Sequence, residues 1–157
     1  QAPRLGDSLG AMSVEDLRLI GYWKGNEPED ERFPDPKRLV NKGWIGEDDK
    51  KRLIQYLSSG TSLESYRGSS WCRFKCGIKD SRMGFSILSD GTWLWPEGLC
   101  HYVERHDVML PEEFVEHCRK SGWIVPQNAA EVARERRAQI DFWLDGAGKN
   151  GREWRGF

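Results

Sequence analysis

Cys72-x3-Cys76, in WCRFKCG (residues 71–77), and His101-x4-His106, in LCHYVERHD (residues 99–107), are the residues of this chain whose types and spacing could do chemistry. Two thiolates and two imidazoles form a donor set for zinc, which takes four such ligands in a tetrahedron at about 2.0–2.3 Å. A turn can bring two cysteines together, and a helix can present two histidines. The spacer between the pairs is 24 residues, about twice the ~12 of a simple zinc finger, which excludes that motif. Two helical residues five apart point roughly 140° away from each other. Convergence therefore requires the helix to distort or end near His106, and Asp107-Val108 offers a stop. With four protein ligands and no open position, zinc held by Cys72, Cys76, His101 and His106 would be structural.

The same residues admit two other readings. Cysteine is among the most buried residue types and often only fills space, and His106 could hydrogen-bond within a core. A cysteine enzyme would need a thiolate, a neighbouring base and a third group to orient that base. Cys72 or Cys76, His101 or His106, and Asp90 or Asp107 could be cast in those roles, giving a Cys/His- or zinc-dependent hydrolase. Cys118, beside His117, suits a helix core position. There is no phosphate-cradling glycine loop, nucleophile elbow, paired-histidine metalloprotease helix or dinucleotide fingerprint.

Trp93 and Trp95, in DGTWLWPEG, share one face of a strand. That face either packs on a helix or forms an aromatic platform for a partner, with Arg73 and Lys75 nearby. Arg67, Lys79 and Arg82 extend the basic cluster. It is a local patch on a chain of 24 basic and 25 acidic residues with formal net charge -1, so a nucleic-acid-binding domain is the third function class and a nucleic-acid partner is not expected.

The elements that must position these residues read as follows. SVEDLRLIGYW is expected to be a helix capped by Ser13. KGNEPEDERFPDPK, with three prolines, is an irregular solvated loop. GEDDKKRLIQYLSSG is a helix capped by Asp48 or Asp49, with Leu53, Ile54 and Leu57 inward and Gly60 as its stop. TSLESYRGSSWCRF reads as one or two strands, placing Cys72 and Cys76 at a strand end and its turn. IKDSRMG is a turn or loop. FSILSDGTWLW is a hairpin turning at Asp90-Gly91. Pro96 opens a helix running through EGLCHYVERH, and Pro111 to Lys120 is another, with Phe114, Val115 and Cys118 inward. AAEVARERRAQIDFWLDG reads as one further helix capped by Asn128, with Arg134, Arg136 and Arg137 in water.

The sum is α+β: a small central antiparallel sheet with flanking helices in a single domain, residues 13–145. Residues 1–12 read as a tag or flexible leader and residues 146–157 as a Gly-rich tail carrying Trp154 and Phe157. No apolar run approaches the ~20 residues of a membrane span, no signal peptide is visible, and a cytoplasmic location with no membrane association is expected. Four cysteines without an export signal point to thiols or metal ligands. Eight tryptophans must build part of the core and leave some for an interaction surface.

SSWCRFKCG followed by LSDGTWLWPEGLCHYVERHDVMLPEEFVEH, with GYW and FPDP before them, resembles a family of small bacterial proteins sharing a WCRxxCG…DGxWxWPEGLxHYVxxH pattern. The match covers roughly residues 21 to 126. It implies a bacterial, intracellular, single-domain protein and carries no activity with it. Size, near-neutral charge and abundant tryptophan then favour a non-enzymatic module with a protein partner, by analogy with immunity proteins that neutralise bacterial toxins.

Overall fold

The computed structural model describes residues 16–65 and 69–147. The expected leader, the Ser13 cap, Arg67 and most of the expected C-terminal tail lie outside those residues. Within them, the α+β expectation holds, built on a five-stranded sheet of order β2-β3-β4-β1-β5. The strands are β1 (Asp16–Leu19), β2 (Thr61–Ser65), β3 (Ser86–Ser89), β4 (Trp93–Pro96) and β5 (Arg137–Gln139). The helices are α1 (Glu47–Ser58), α2 (Asp80–Met83), α3 (Leu99–His106), α4 (Glu112–Lys120), α5 (Ala129–Arg134) and α6 (Asp141–Ala147).

The sheet is mixed, not purely antiparallel. β2, β3 and β4 pair antiparallel, but β1 runs parallel to both β4 and β5. β1 corrects the expected N-terminal helix. Its burial alternates, with Leu17 and Leu19 inside and Asp16 and Arg18 half-exposed, which is the period of a strand. Strands on both sides satisfy its backbone, which outweighs the helical tendency of so short a segment.

The long C-terminal helix is also corrected. α5 stops at Arg134, β5 adds to the free edge of β1, and α6 follows. The open edge of β1 offers hydrogen bonds that a helix there would forgo. Arg134 and Arg137 face water as expected, but Arg136 turns inward and donates to the Gly91 carbonyl at 2.6 Å, pinning the break to the hairpin turn.

That hairpin forms where expected. Gly91 takes φ +94°, and Asp90 Oδ1 accepts the Thr92 and Trp93 amides at 2.9 and 2.7 Å. α1 begins at Gly46 with no side-chain cap, and Glu47, Asp48 and Asp49 fill its first turn instead, where their charge favours the positive helix end. Pro96 closes β4, and Gly98 precedes α3. The stretch expected as a loop before β3 contains the single turn α2. The acidic run around Glu29 and Glu31 is solvent-facing.

Trp95, Trp143, Tyr56, Phe114 and Ile20 are the largest fully enclosed side chains. Trp93 and Trp95 both contact Phe114 edge-on, at 5.3 and 5.5 Å between ring centroids. At 2% and 0% exposure they pack under α4, so the platform reading is corrected: these rings are core. Trp95 Nε1 donates to the Leu57 carbonyl at 3.1 Å, so its one polar atom is satisfied inside.

Candidate metal centre

Cys72 and Cys76 lie in an irregular loop between β2 and α2, not at a strand end. A turn closes between them: the Lys75 amide donates to the Cys72 carbonyl at 2.9 Å, and Lys75 sits at φ +51°. The Phe74 and Cys76 amides face the Cys72 sulfur and favour its thiolate. Tyr102 holds the loop to α3. Its hydroxyl accepts the Arg73 amide at 3.0 Å and donates to the Trp71 carbonyl at 3.3 Å. Phe74 stacks on His106 with centroids 4.1 Å apart.

α3 supplies the histidines. The amides of Asp107 and Val108 both donate to the Tyr102 carbonyl, five and six residues back in place of the α-helical four. The final turn is therefore widened, and Asp107 leaves it at φ +51°. This is the distortion that the five-residue spacing required. The imidazoles of His101 and His106 meet with centroids 5.0 Å apart.

The four candidate residues converge. Cys76 Sγ is 3.4 Å from His101 Nε2, Cys72 Sγ is 3.5 Å from His106 Nε2, and the two sulfurs are 3.9 Å apart. All four ligand atoms lie within 4.8 Å of one another. Such a cluster could hold a metal ion. Cys72 is buried and Cys76 exposed, so the centre sits at the surface with one side sealed.

Burial pushes the Cys72 thiol up, and neighbouring Cys76 adds to this. His101 is lowered by burial, then by His106 and Arg105; His106 is lowered by burial and Arg105. Both imidazoles are thus held toward the neutral form that binds metals. Without a bound cation the Cys72 thiol is held away from the thiolate that a nucleophile and a metal ligand both need.

No match was found in comparisons with protein-family models, curated proteins and solved structures.

The hydrolase reading finds no orienting group here. Among the described residues, no carboxylate hydrogen-bonds His101 or His106. Asp107 pairs with Lys50 at 3.1 Å. Asp90 lies in a different network, where its Oδ2 accepts the Tyr56 hydroxyl at 2.6 Å and contacts His117 Nε2 at 2.9 Å. Sequence reasoning missed that network, although the Asp90-Gly91 turn marked its centre.

Of the other residues singled out for partner binding, Lys75 is exposed on the metal loop. Arg73 is an internal clamp: its Nε donates to the Lys24 carbonyl at 3.0 Å, its Nη1 to the Trp71 carbonyl at 2.9 Å, and its guanidinium lies 4.3 Å over the Trp71 ring. Tyr102 was legible only as a core position of α3. Its role as the loop's anchor had no local signal.

Proposed function

We propose that this chain is a non-enzymatic module that binds a protein partner and is held together by one structural zinc ion on Cys72, Cys76, His101 and His106. The observation that carries the zinc reading is the shape of the cluster. A tetrahedron with Zn–S near ~2.3 Å and Zn–N near ~2.0–2.1 Å has S···S edges of about 3.8 Å and S···N edges of about 3.5 Å. Three of the six ligand-atom distances, at 3.9, 3.5 and 3.4 Å, follow that pattern, and the other three lie within 4.8 Å. Two thiolates and two neutral imidazoles suit zinc, and four protein ligands leave no position for substrate water. The ion would tie the 71–77 loop to the end of α3, a join otherwise made by Tyr102 and Phe74.

The module reading is supported by a turn that places apolar surface in water. Ile124 is 68% exposed, next to Trp123, which sits at φ +63°. A bulky residue in the left-handed region is strained, and such strain gathers at functional surfaces.

Elemental analysis of the purified protein, with Cys72→Ala and His101→Ala, tests the centre. One zinc per chain, with both variants metal-free and unfolded, is the expected result. Variants that stay folded and bind as much metal as the parent would sink the zinc reading. A folded variant that loses a defined hydrolytic activity would replace the module by an enzyme.

A further inference from the structure

A cavity of about 290 Å³ opens beside the metal loop, bounded by residues that follow β1 (Gly21, Tyr22, Trp23) and by the end of β4 (Pro96, Glu97, Gly98). β1 and β4 are parallel neighbours, and the crevice at the carboxyl ends of such strands is a common place for ligands. Tyr22, Trp23, Phe85 and Tyr102 give it aromatic walls. Its volume is at the low end of ligand pockets, roughly 300–1,000 Å³, which suits a single amino acid better than a nucleotide.

Among the described residues, its Arg73 and Asp30 make no salt bridge. Arg73 lines the cavity, and among the described residues its donors meet backbone carbonyls and the Ser70 hydroxyl. Asp30 lines the same space. The two flank Gly25, whose added Cβ would lie 2.6 Å from Asp30 Oδ2 and 3.0 Å from Arg73 Nη2. Glu97, the third charged residue, already accepts the Phe85 and Ser86 amides on Oε1 at 3.0 and 3.1 Å. Trp23 is 4% exposed, and among the described residues its indole N–H has no hydrogen-bond partner. A buried donor left without an acceptor is costly and calls for an explanation.

A lone carboxylate ligand would face Asp30 and Glu97, and a lone amine would face Arg73. A molecule carrying both charges meets neither penalty. We propose that this cavity binds a small zwitterion with an aromatic body, an α-amino acid of the phenylalanine type. Its carboxylate lies toward Arg73, its ammonium toward Asp30 and its ring among the aromatic walls. Trp23 is part of that wall, and its enclosed indole N–H lies behind the surface the ligand would meet. The inference rests on the zinc centre only through Arg73, which the metal loop carries.

The test is a ¹H–¹⁵N NMR titration of the full chain, with metal content measured first. The probes are L-phenylalanine, phenethylamine and phenylacetate. L-Phenylalanine is expected to shift the Trp23 indole N–H and the Gly84 and Gly98 amides. Each singly charged analogue is expected to bind at least about tenfold more weakly. Asp30→Asn, which neutralises a side chain with no ion pair among the described residues, should weaken L-phenylalanine about tenfold and leave metal content and the unfolding midpoint unchanged. No shift at about 10 mM L-phenylalanine, phenylacetate binding as well as L-phenylalanine, or full affinity in Asp30→Asn would each overturn the proposal. If the protein holds no zinc yet shows the expected ligand pattern, the zinc centre is wrong and the cavity stands. If it holds zinc and shows no ligand response, the centre stands and the cavity proposal falls.

Discussion

The sulfur of Cys76 lies 3.4 Å from Nε2 of His101, 25 positions further along the chain. Between them the chain makes α2, the β3–β4 hairpin and the start of α3. The contact therefore measures how well the hairpin folds back, and metal at this point would lock that return.

Cys76→Ser should lose bound metal, whereas Cys100→Ser should retain it, because Cys100 lies outside the cluster and its sulfur faces the Glu97 carbonyl at 3.8 Å. Loss of the metal should lower stability by more than about 4 kcal/mol. The check is metal content by mass spectrometry together with thermal unfolding, with and without chelator. Equal metal in the two variants would count against this ligand set.

Acid should unfold the protein partly through Asp90. Burial works against its carboxylate, but hydrogen bonds from His117 and Tyr56 outweigh that penalty, so its pKa lies below the ordinary aspartate value. A group whose folded pKa is depressed adds stability above its unfolded pKa of about 3.9, and that stability is lost as pH falls through the folded value. Asp90→Ala should therefore cost about 3 kcal/mol at neutral pH and flatten the loss of stability below about pH 4. Denaturant unfolding at several pH values reads both effects; a variant with the parent's acid limb would show that Asp90 is not the group responsible.

Trp95→Ala should destabilise by about 3–5 kcal/mol. The ring is fully enclosed and contacts Tyr56 and Phe114. Trp95→Phe should cost less, while leaving the Leu57 carbonyl without its donor. Chemical denaturation compares the two. Near-neutral effects would return the tryptophan pair to the surface.

Gly60→Ala should cost about 1–3 kcal/mol. An added Cβ would lie 2.7 Å from Trp95 Cζ2 and 2.9 Å from Leu88 Cβ. Both neighbours are buried and cannot swing away. This glycine is required by the close approach of α1's exit to the sheet. A midpoint equal to the parent's would show that the sheet yields at this point.

Local patterns carried much of the fold. The periodicity of Leu53 and Leu57 marked α1, and that of Phe114, Val115 and Cys118 marked α4. Asp90-Gly91 marked the hairpin because its geometry depends on a few residues in a row. Helix was expected where β1 and β5 form, since a strand's partners lie elsewhere in the chain. Four residues of β1 gain their hydrogen bonds from β4 and β5, and nothing in DLRL states that.

The candidate site divides the same way. By itself the sequence determined the donor types, their two pairs, the conflict of the five-residue histidine spacing with a regular helix, and the Asp107-Val108 stop. Those depend on residue identity and helical pitch. Only the tertiary structure decided that the pairs meet, that Tyr102 pins the cysteine loop, that Trp93 and Trp95 are core, and that Arg73 and Asp30 share one cavity. Each of these is a distance between chain segments, set by how the hairpin and helices pack together, and residue spacing does not encode it.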